Sequence, residues 1–338
     1  MNAPERLRQE RDTGLPVPRK LAAPYWGARV LSLYSTPVLT ERFNRRLLEK
    51  RRLVMVIDFR VRPPITSNVK QQTFSSMFSK NYVENVWTRY REPIPSWDDM
   101  SVEKMVEEMN VAGVDACVLM GRVAEKGLDA SCSPNEEIAG LLSRYPGRFY
   151  GFAGIEPRDA QAIEQIRCWV EERGFRGIAL DPGWSTPPLY ADAPEIEPVY
   201  AYCEEHGIIV SVTQSGLMGP DMSYADPRRI QRVASAHPGL VMVLPHACWP
   251  YFHDALFVAM ACSNVYLIPD TYLYTKGMPM VEDFVLATNY HVKKQVLFAS
   301  SYPLGGFEQC IDAWKKSGFS EEALELTLGG NAARLLGV

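Results

Sequence analysis

The chain lacks the motifs that usually announce a cofactor. No Gly-x-Gly-x-x-Gly follows any apolar run and no Gly-x-x-x-x-Gly-Lys-(Ser/Thr) occurs, which removes the usual nucleotide-binding readings. The seven cysteines (117, 132, 168, 203, 248, 262 and 310) are scattered, odd in number and without a Cys-x-x-Cys. Most lie in apolar runs such as Val114–Leu119, so they read as reduced, buried thiols of a cytoplasmic protein rather than a disulfide framework or a zinc knot. No uninterrupted apolar stretch approaches the ~18 residues of a membrane span. The N-terminus is polar and basic, without the apolar core of a signal peptide. The formal net charge of −4 is not that of a nucleic-acid-binding protein.

What is present is a globular composition, 46% hydrophobic and 22% charged, enough to build a large core. Charge is unevenly placed. Residues 1–52 hold twelve Lys/Arg against five acids, about +7, which leaves about −11 for the remainder of the −4 total. This basic, proline-punctuated arm is expected to contact another copy or another chain.

Beyond residue 52, apolar β-branched runs alternate with amphipathic stretches. Strands are expected at 53–60, 114–120, 148–154, 176–181, 208–213, 240–246, 264–269 and 295–300. Helical periodicity fills the gaps: 96–112, 134–145, 160–173, 195–206, 228–237, 254–263, 281–290 and 307–317. A last helix, 320–336, opens on Ser320 with Glu321 and Glu322 in its first turn. Eight strand–helix units with nearly continuous apolar strands predict a parallel (β/α)8 TIM barrel, an α/β fold; a doubly wound open sheet is the alternative. The chain then divides into the arm at 1–52 and a barrel at 53–338. The aromatic-rich connection at 63–97 leaves the strand end where a barrel keeps its active site, as a lid or an interface.

Several runs carry a family resemblance: Ile57-Asp58 on the first strand, Gly174-Phe175-Arg176-Gly177-Ile178-Ala179-Leu180-Asp181-Pro182, and Val243-Leu244-Pro245-His246-Ala247-Cys248-Trp249-Pro250. Val296-Leu297-Phe298-Ala299-Ser300-Ser301-Tyr302-Pro303 and the closing Leu328-Gly329-Gly330-Asn331-Ala332-Ala333-Arg334-Leu335-Leu336-Gly337 complete the set. From residue 53 on, the chain resembles the amidohydrolase-related barrels, in the branch that includes aminocarboxymuconate-semialdehyde decarboxylase and related hydrolases and lactonases.

The resemblance implies a divalent metal at the C-terminal mouth of the barrel. It would be held by two His on strand one, a His ending strand five, sometimes a His on strand six, and an Asp on strand eight. At those positions this chain has Arg60, Arg62, Thr213, His246 and Ser301. Guanidinium groups are always protonated and offer no lone pair. The expectation is therefore a degenerate site with no metal of its own, although Asp181 and Asp270 leave relocated carboxylate ligands open.

Arg60 and Arg62 are candidates to grip a carboxylate or phosphate bidentately. Alternatively they plug the vacated site through ion pairs to Asp58, Asp181 or Asp270. His246 is the candidate acid/base, with Asp181 beside it; as a bland alternative it is a core histidine hydrogen-bonded under Trp249. Thr213, Trp249 and Ser301 complete the expected substrate-binding set.

Three functions follow. The loss of four ligand positions together points first to an accessory, non-catalytic subunit whose partner, a related amidohydrolase-like chain, carries the metal; a homo-oligomer is the other assembly. The alternative is a metal-independent hydrolase, decarboxylase or lactonase acting on a carboxylated small molecule. The third is an ordinary metal hydrolase with relocated ligands.

Overall fold

The computed structural model of the chain describes residues 55–65, 93–123 and 133–338. The basic arm at 1–52 and most of the connection at 63–97 lie outside the described residues.

Seven parallel strands run in sequence order around one sheet: β1 (Ile57–Val61), β2 (Ala116–Met120), β3 (Phe149–Gly154), β4 (Gly177–Leu180), β5 (Ile209–Val212), β6 (Met242–Pro245) and β7 (Val265–Ile268). The eighth expected strand is irregular, yet it closes the barrel. On one side Leu267 N–H donates to Gln295 O at 2.7 Å and Leu297 N–H to Leu267 O at 3.0 Å. On the other, Phe59 N–H donates to Phe298 O at 2.9 Å and Arg62 N–H to Tyr302 O at 3.0 Å. Its own amides are diverted: Phe298 N–H reaches Thr327 O (2.9 Å) and Ser300 N–H reaches the Asp58 carboxylate. A segment whose amides leave the ladder cannot be a regular strand.

Along each strand, alternate side chains enter two separate cores. Ile57, Phe59, Ala116, Val118, Met120, Phe152, Ala179 and Val243 fill the barrel interior. Cys117, Leu119, Ile178, Leu180, Val210 and Leu244 pack outward under the helices.

The outer helices follow the sequence pattern, with one correction. The stretch expected as a single helix at 96–112 is broken: a turn at Pro95–Asp98 is followed by Met100 at φ 53°, and α1 (Val102–Ala112) starts afresh. Ser101 is the reason, because its side chain accepts from Lys104 N–H and caps the new start. Gly113 ends α1 at φ 74°, a left-handed position that favours glycine. Among the described residues no helix is long and apolar enough to cross a membrane.

The closing run gains a physical meaning. Ser320 caps the last helix as expected, accepting from Ala323 N–H. The helix widens into a π-turn over Leu326–Gly330, which presses Gly329 onto the backbone before β1: a Cβ there would overlap the carbonyl of Met55. Asn331 Nδ2 donates to Lys293 O (2.7 Å) and Val296 O (2.8 Å), tying the helix to the eighth segment. Gly329→Ala is therefore expected to destabilise the protein by about 3 kcal/mol, because backbone cannot yield as a side chain would. Thermal or urea unfolding checks this, with Gly330→Ala, whose Cβ meets its nearest atom at 3.3 Å, as the milder control.

Candidate active site at the C-terminal mouth of the barrel

The sequence-predicted residues meet at the ends of β1, β4, β5, β6, β7 and the eighth segment. Strict alternation from Ile57 and Phe59, both inside, would aim Asp58, Arg60 and Arg62 together at the helices. A bulge changes this. Asp58 pairs with Cys117 and Val61 with Leu119, so Phe59 and Arg60 together oppose one residue of β2. After the bulge Arg60 turns inward, where Nη1 donates to Ser301 Oγ at 2.9 Å and lies 3.7 Å from Asp270 Oδ2. Asp58 stays on the outer side and so does not neutralise the two arginines as expected. Its carboxylate accepts from Arg60 N–H (3.1 Å) and Ser300 N–H (3.1 and 3.2 Å). Burial raises its pKa to about 7, outweighing the hydrogen bonds from Ser300 and Arg60.

His246 is 6% exposed. Its Nδ1–H donates to Asp270 Oδ1 at 2.9 Å, which sets the tautomer and leaves Nε2 as the acceptor. Burial, with Arg60 and Arg62 nearby, lowers the imidazole pKa against the opposing pull of Asp270, so the resting ring is neutral. Burial disfavours the Asp270 carboxylate, but His246, Arg60 and Ser301 outweigh that and hold its pKa below the ordinary value. Asp270 also takes Thr271 N–H at 2.6 Å. The bland reading of His246, a core histidine under Trp249, misses this dyad. Trp249 instead stacks on Tyr272 (centroids 4.5 Å apart, planes at 8°), and Tyr272 meets the imidazole edge-on at 5.4 Å. Trp249 Nε1 is buried without a hydrogen bond.

Asp181 is not a free acid/base. Arg122, at the end of β2, grips both its oxygens (Nε at 2.7 Å, Nη2 at 3.1 Å), and Thr213 adds a hydrogen bond. Burial opposes the charge, but these partners keep the carboxylate ionised, its pKa below the usual range. Arg122 also lies 4.3 Å over the Trp184 ring. Arg122 escaped the sequence reading. The available signal was Met120-Gly121-Arg122: an arginine at the same end of a neighbouring strand as Arg60 and Arg62.

Arg62 is the exception to this pairing. It is 8% exposed and its Nε is buried without a hydrogen bond. Among the described residues no carboxylate comes within ion-pair distance of it. Burial first, then Arg122 and Arg60, press its pKa well below the ordinary value, yet a guanidinium keeps its proton at neutral pH. Among the described residues the inner face thus holds three cations (Arg60, Arg62, Arg122) against two anions (Asp181, Asp270).

Backbone strain concentrates here too. His246 (φ 70°), Ala247 (43°), Cys248 (57°), Asp270 (37°) and Ser301 (55°) are all non-glycine residues in the left-handed half of conformational space. Each such residue costs on the order of 1–3 kcal/mol, and such strain gathers at functional sites.

The residues present do not fit the divalent ion that the family resemblance implies. Such an ion needs three or four N, S or carboxylate donors. Two of the five positions carry guanidinium groups and two carry hydroxyls. His246 keeps only Nε2 free, and among the described residues no three His, Cys, Asp or Glu side chains are grouped to hold a metal.

Comparison with known proteins adds relatives. Residues 99–338 match the family model described as Amidohydrolase. A gamma-resorcylate decarboxylase of Rhodococcus jostii (strain RHA1) is 24% identical over 291 residues, 70% of this chain and 84% of the relative. An uncharacterized TIM-barrel protein from Bordetella bronchiseptica superposes with a TM-score of 0.74 at 32% identity, covering 84% of this chain and 98% of that one. A dihydroxybenzoic acid decarboxylase from Polaromonas sp. JS666, solved with bound manganese and the inhibitor 2-nitroresorcinol, gives 0.58 at 15% identity over 84% and 97%; at that identity the likeness shows the fold alone.

Proposed function

Because the chain belongs to the amidohydrolase family and its barrel mouth carries a surplus of buried cations, we propose that it is a metal-independent hydrolase or decarboxylase of carboxylated small molecules. The observation that carries this reading is Arg62, a buried guanidinium whose Nε has no hydrogen bond and which, among the described residues, feels Asp181 and Asp270 without an ion pair to either. A buried unpaired charge is very costly. Had the arginines merely plugged an abandoned metal site, each would have its acid, as Arg122 has Asp181. A substrate carboxylate is the missing partner, held by the forks of Arg62 and Arg60. Trp184 and the Trp249–Tyr272 stack offer flat apolar walls, which suits an aromatic acid. The aromatic carboxylate in the name of the gamma-resorcylate decarboxylase relative points the same way.

His246 then acts as the base. In hydrolysis Nε2 takes the proton from the water that adds to the substrate carbonyl, and the imidazolium hands it to the leaving group. In decarboxylation the proton taken from a substrate hydroxyl returns to the carbon that loses CO2. In both, Asp270 steadies the imidazolium without taking the proton. Ser301 and Asp270 orient Arg60, while Thr213 and Arg122 fix Asp181. Asp181 thereby serves as the counter-charge of the arginine cluster rather than as the acid/base.

A second reading, the accessory subunit of a complex whose partner barrel carries the metal, draws on the unfit donor set. Strained dyad geometry and the Arg62 Nε without a hydrogen bond favour the first.

The test uses the chelator-treated protein with benzoate and its neutral methyl ester in calorimetry, and with mono-4-nitrophenyl terephthalate as a chromogenic ester. Benzoate is expected to bind and the methyl ester not to. The carboxylated nitrophenyl ester should be cleaved, with benzoate competing. Absence of any preference for the anion, or turnover that disappears on chelation and returns with manganese, would overturn the proposal. Co-purification with a second amidohydrolase-like chain, without turnover alone, would establish the accessory role.

A further inference from the structure

The Asp58 carboxylate lies on the far side of β1 from the pocket, in the layer between sheet and helices. It is completely buried, and its field reaches the outer-layer groups Cys117, Tyr274 and Cys310. Nothing in the proposed chemistry uses it. An acid so placed is expensive to bury, and its hydrogen bonds indicate what it does there.

We propose that Asp58 is a positioning residue that builds the anion pocket from behind, by holding the β1 bulge and the eighth segment in one grip. Two observations converge on this. First, Asp58 Oδ1 accepts Arg60 N–H at 3.1 Å, an amide two residues on that would otherwise bond a neighbouring strand. That local bond closes the bulge, and the bulge is what moves Arg60 from the helix side of β1 to the barrel interior. Second, both oxygens accept Ser300 N–H, at 3.1 and 3.2 Å. This takes the eighth segment out of the ladder just before Ser301, whose φ of 55° aims Oγ at Arg60 Nη1, 2.9 Å away. One carboxylate thus sets both ends of the Arg60–Ser301 contact, and through Arg60 it sets the face that Asp270 sees. Ser300 Oγ accepts Tyr302 N–H at 2.9 Å and stiffens the same turn. A structural acid that only filled space would have no reason to bond the one amide at the bulge and the one before Ser301.

This inference rests on the reading of Arg60 as a substrate-carboxylate ligand, but its primary readout does not. Asp58→Asn is the main variant. Its amide oxygen can still accept the Oδ1 bonds from Arg60 N–H and Ser300 N–H, whereas its NH2 group turns the second acceptor of Ser300 N–H, Oδ2, into a donor, so the chain folds while the hold on Ser300 is weakened. Asp58→Ala removes both halves. In crystal structures of the variants, the Arg60–Ser301 contact is expected to lengthen from its 2.9 Å in Asn, and in Ala the bulge should relax with Arg60 withdrawn from Asp270. If Ala fails to fold, the Asn structure alone decides. Benzoate affinity should fall roughly 10- to 100-fold, the cost of a binding group displaced by about an ångström. Arg60 still seated on Ser301 in the Asn variant overturns the inference. A displaced Arg60 in a protein whose wild type never bound benzoate upholds Asp58's role and removes the proposed function instead.

Discussion

Arg62→Met is expected to abolish benzoate binding and, at the same time, to make the unliganded protein more stable. The two effects have one cause. In the free protein the Arg62 charge is buried, its Nε has no hydrogen bond, and its neighbours Arg60 and Arg122 repel it. Replacing a poorly compensated buried ion with a flexible apolar side chain is typically neutral or stabilising, here by about 1–3 kcal/mol. In the complex the same guanidinium meets a carboxylate in a site with little water. Removing one partner of such a pair costs about 2–5 kcal/mol, so affinity should drop by two orders of magnitude or more. Calorimetry and thermal unfolding on the same preparations check both halves. A fall in Tm of several degrees would mean that Arg62 serves the fold rather than a substrate carboxylate. Arg122→Met makes the contrast: it orphans Asp181, so it should destabilise the protein.

The second large effect is on turnover. His246→Asn should lower kcat for mono-4-nitrophenyl terephthalate by about 10²–10⁴-fold, the usual contribution of a positioned base, while benzoate affinity changes little because the arginines hold the carboxylate. The pH profile follows from the direction of the imidazole shift. Burial and the two arginines lower the pKa, and the base works only when neutral. Activity should therefore be flat through neutral pH and fall on the acid side below the ordinary histidine value of about 6.5. Asp270→Asn frees the ring from its tautomer and should lose most of the same activity. A limb centred above pH 7, or full activity in His246→Asn, would exclude His246 as the base.

How far the chain could be read in advance varied with the range of the interactions involved. Six strands lie within two residues of the apolar runs that foretold them, because burial on both faces leaves a continuous apolar signature, while β1 begins at Ile57 rather than at 53. The helix at 96–112 broke at Ser101, where a side-chain cap outweighed an unbroken apolar stripe. The eighth strand was legible as a run but not as an irregular one, because its amides are claimed by Asp58 and Thr327, 242 and 29 residues away. Arg60, Arg62, Thr213, His246 and Ser301 were legible as pocket positions through family resemblance. Their roles were not. Asp181 was read as a catalytic acid because its partner Arg122, 59 residues distant, carries no local mark. Asp58 was read as a neutralising charge because strand alternation is blind to a bulge.

By itself, then, the sequence determined that a parallel barrel forms and that guanidinium and hydroxyl groups stand where the family resemblance implies metal donors, since periodicity and residue chemistry are properties of short windows. Tertiary structure alone decided that Arg60 turns inward, that His246 leans on Asp270, and that Arg122 takes Asp181, so that among the described residues Arg62 has no ion pair of its own. Those are choices among partners far apart in the chain, and only closure of the barrel brings them within reach of one another.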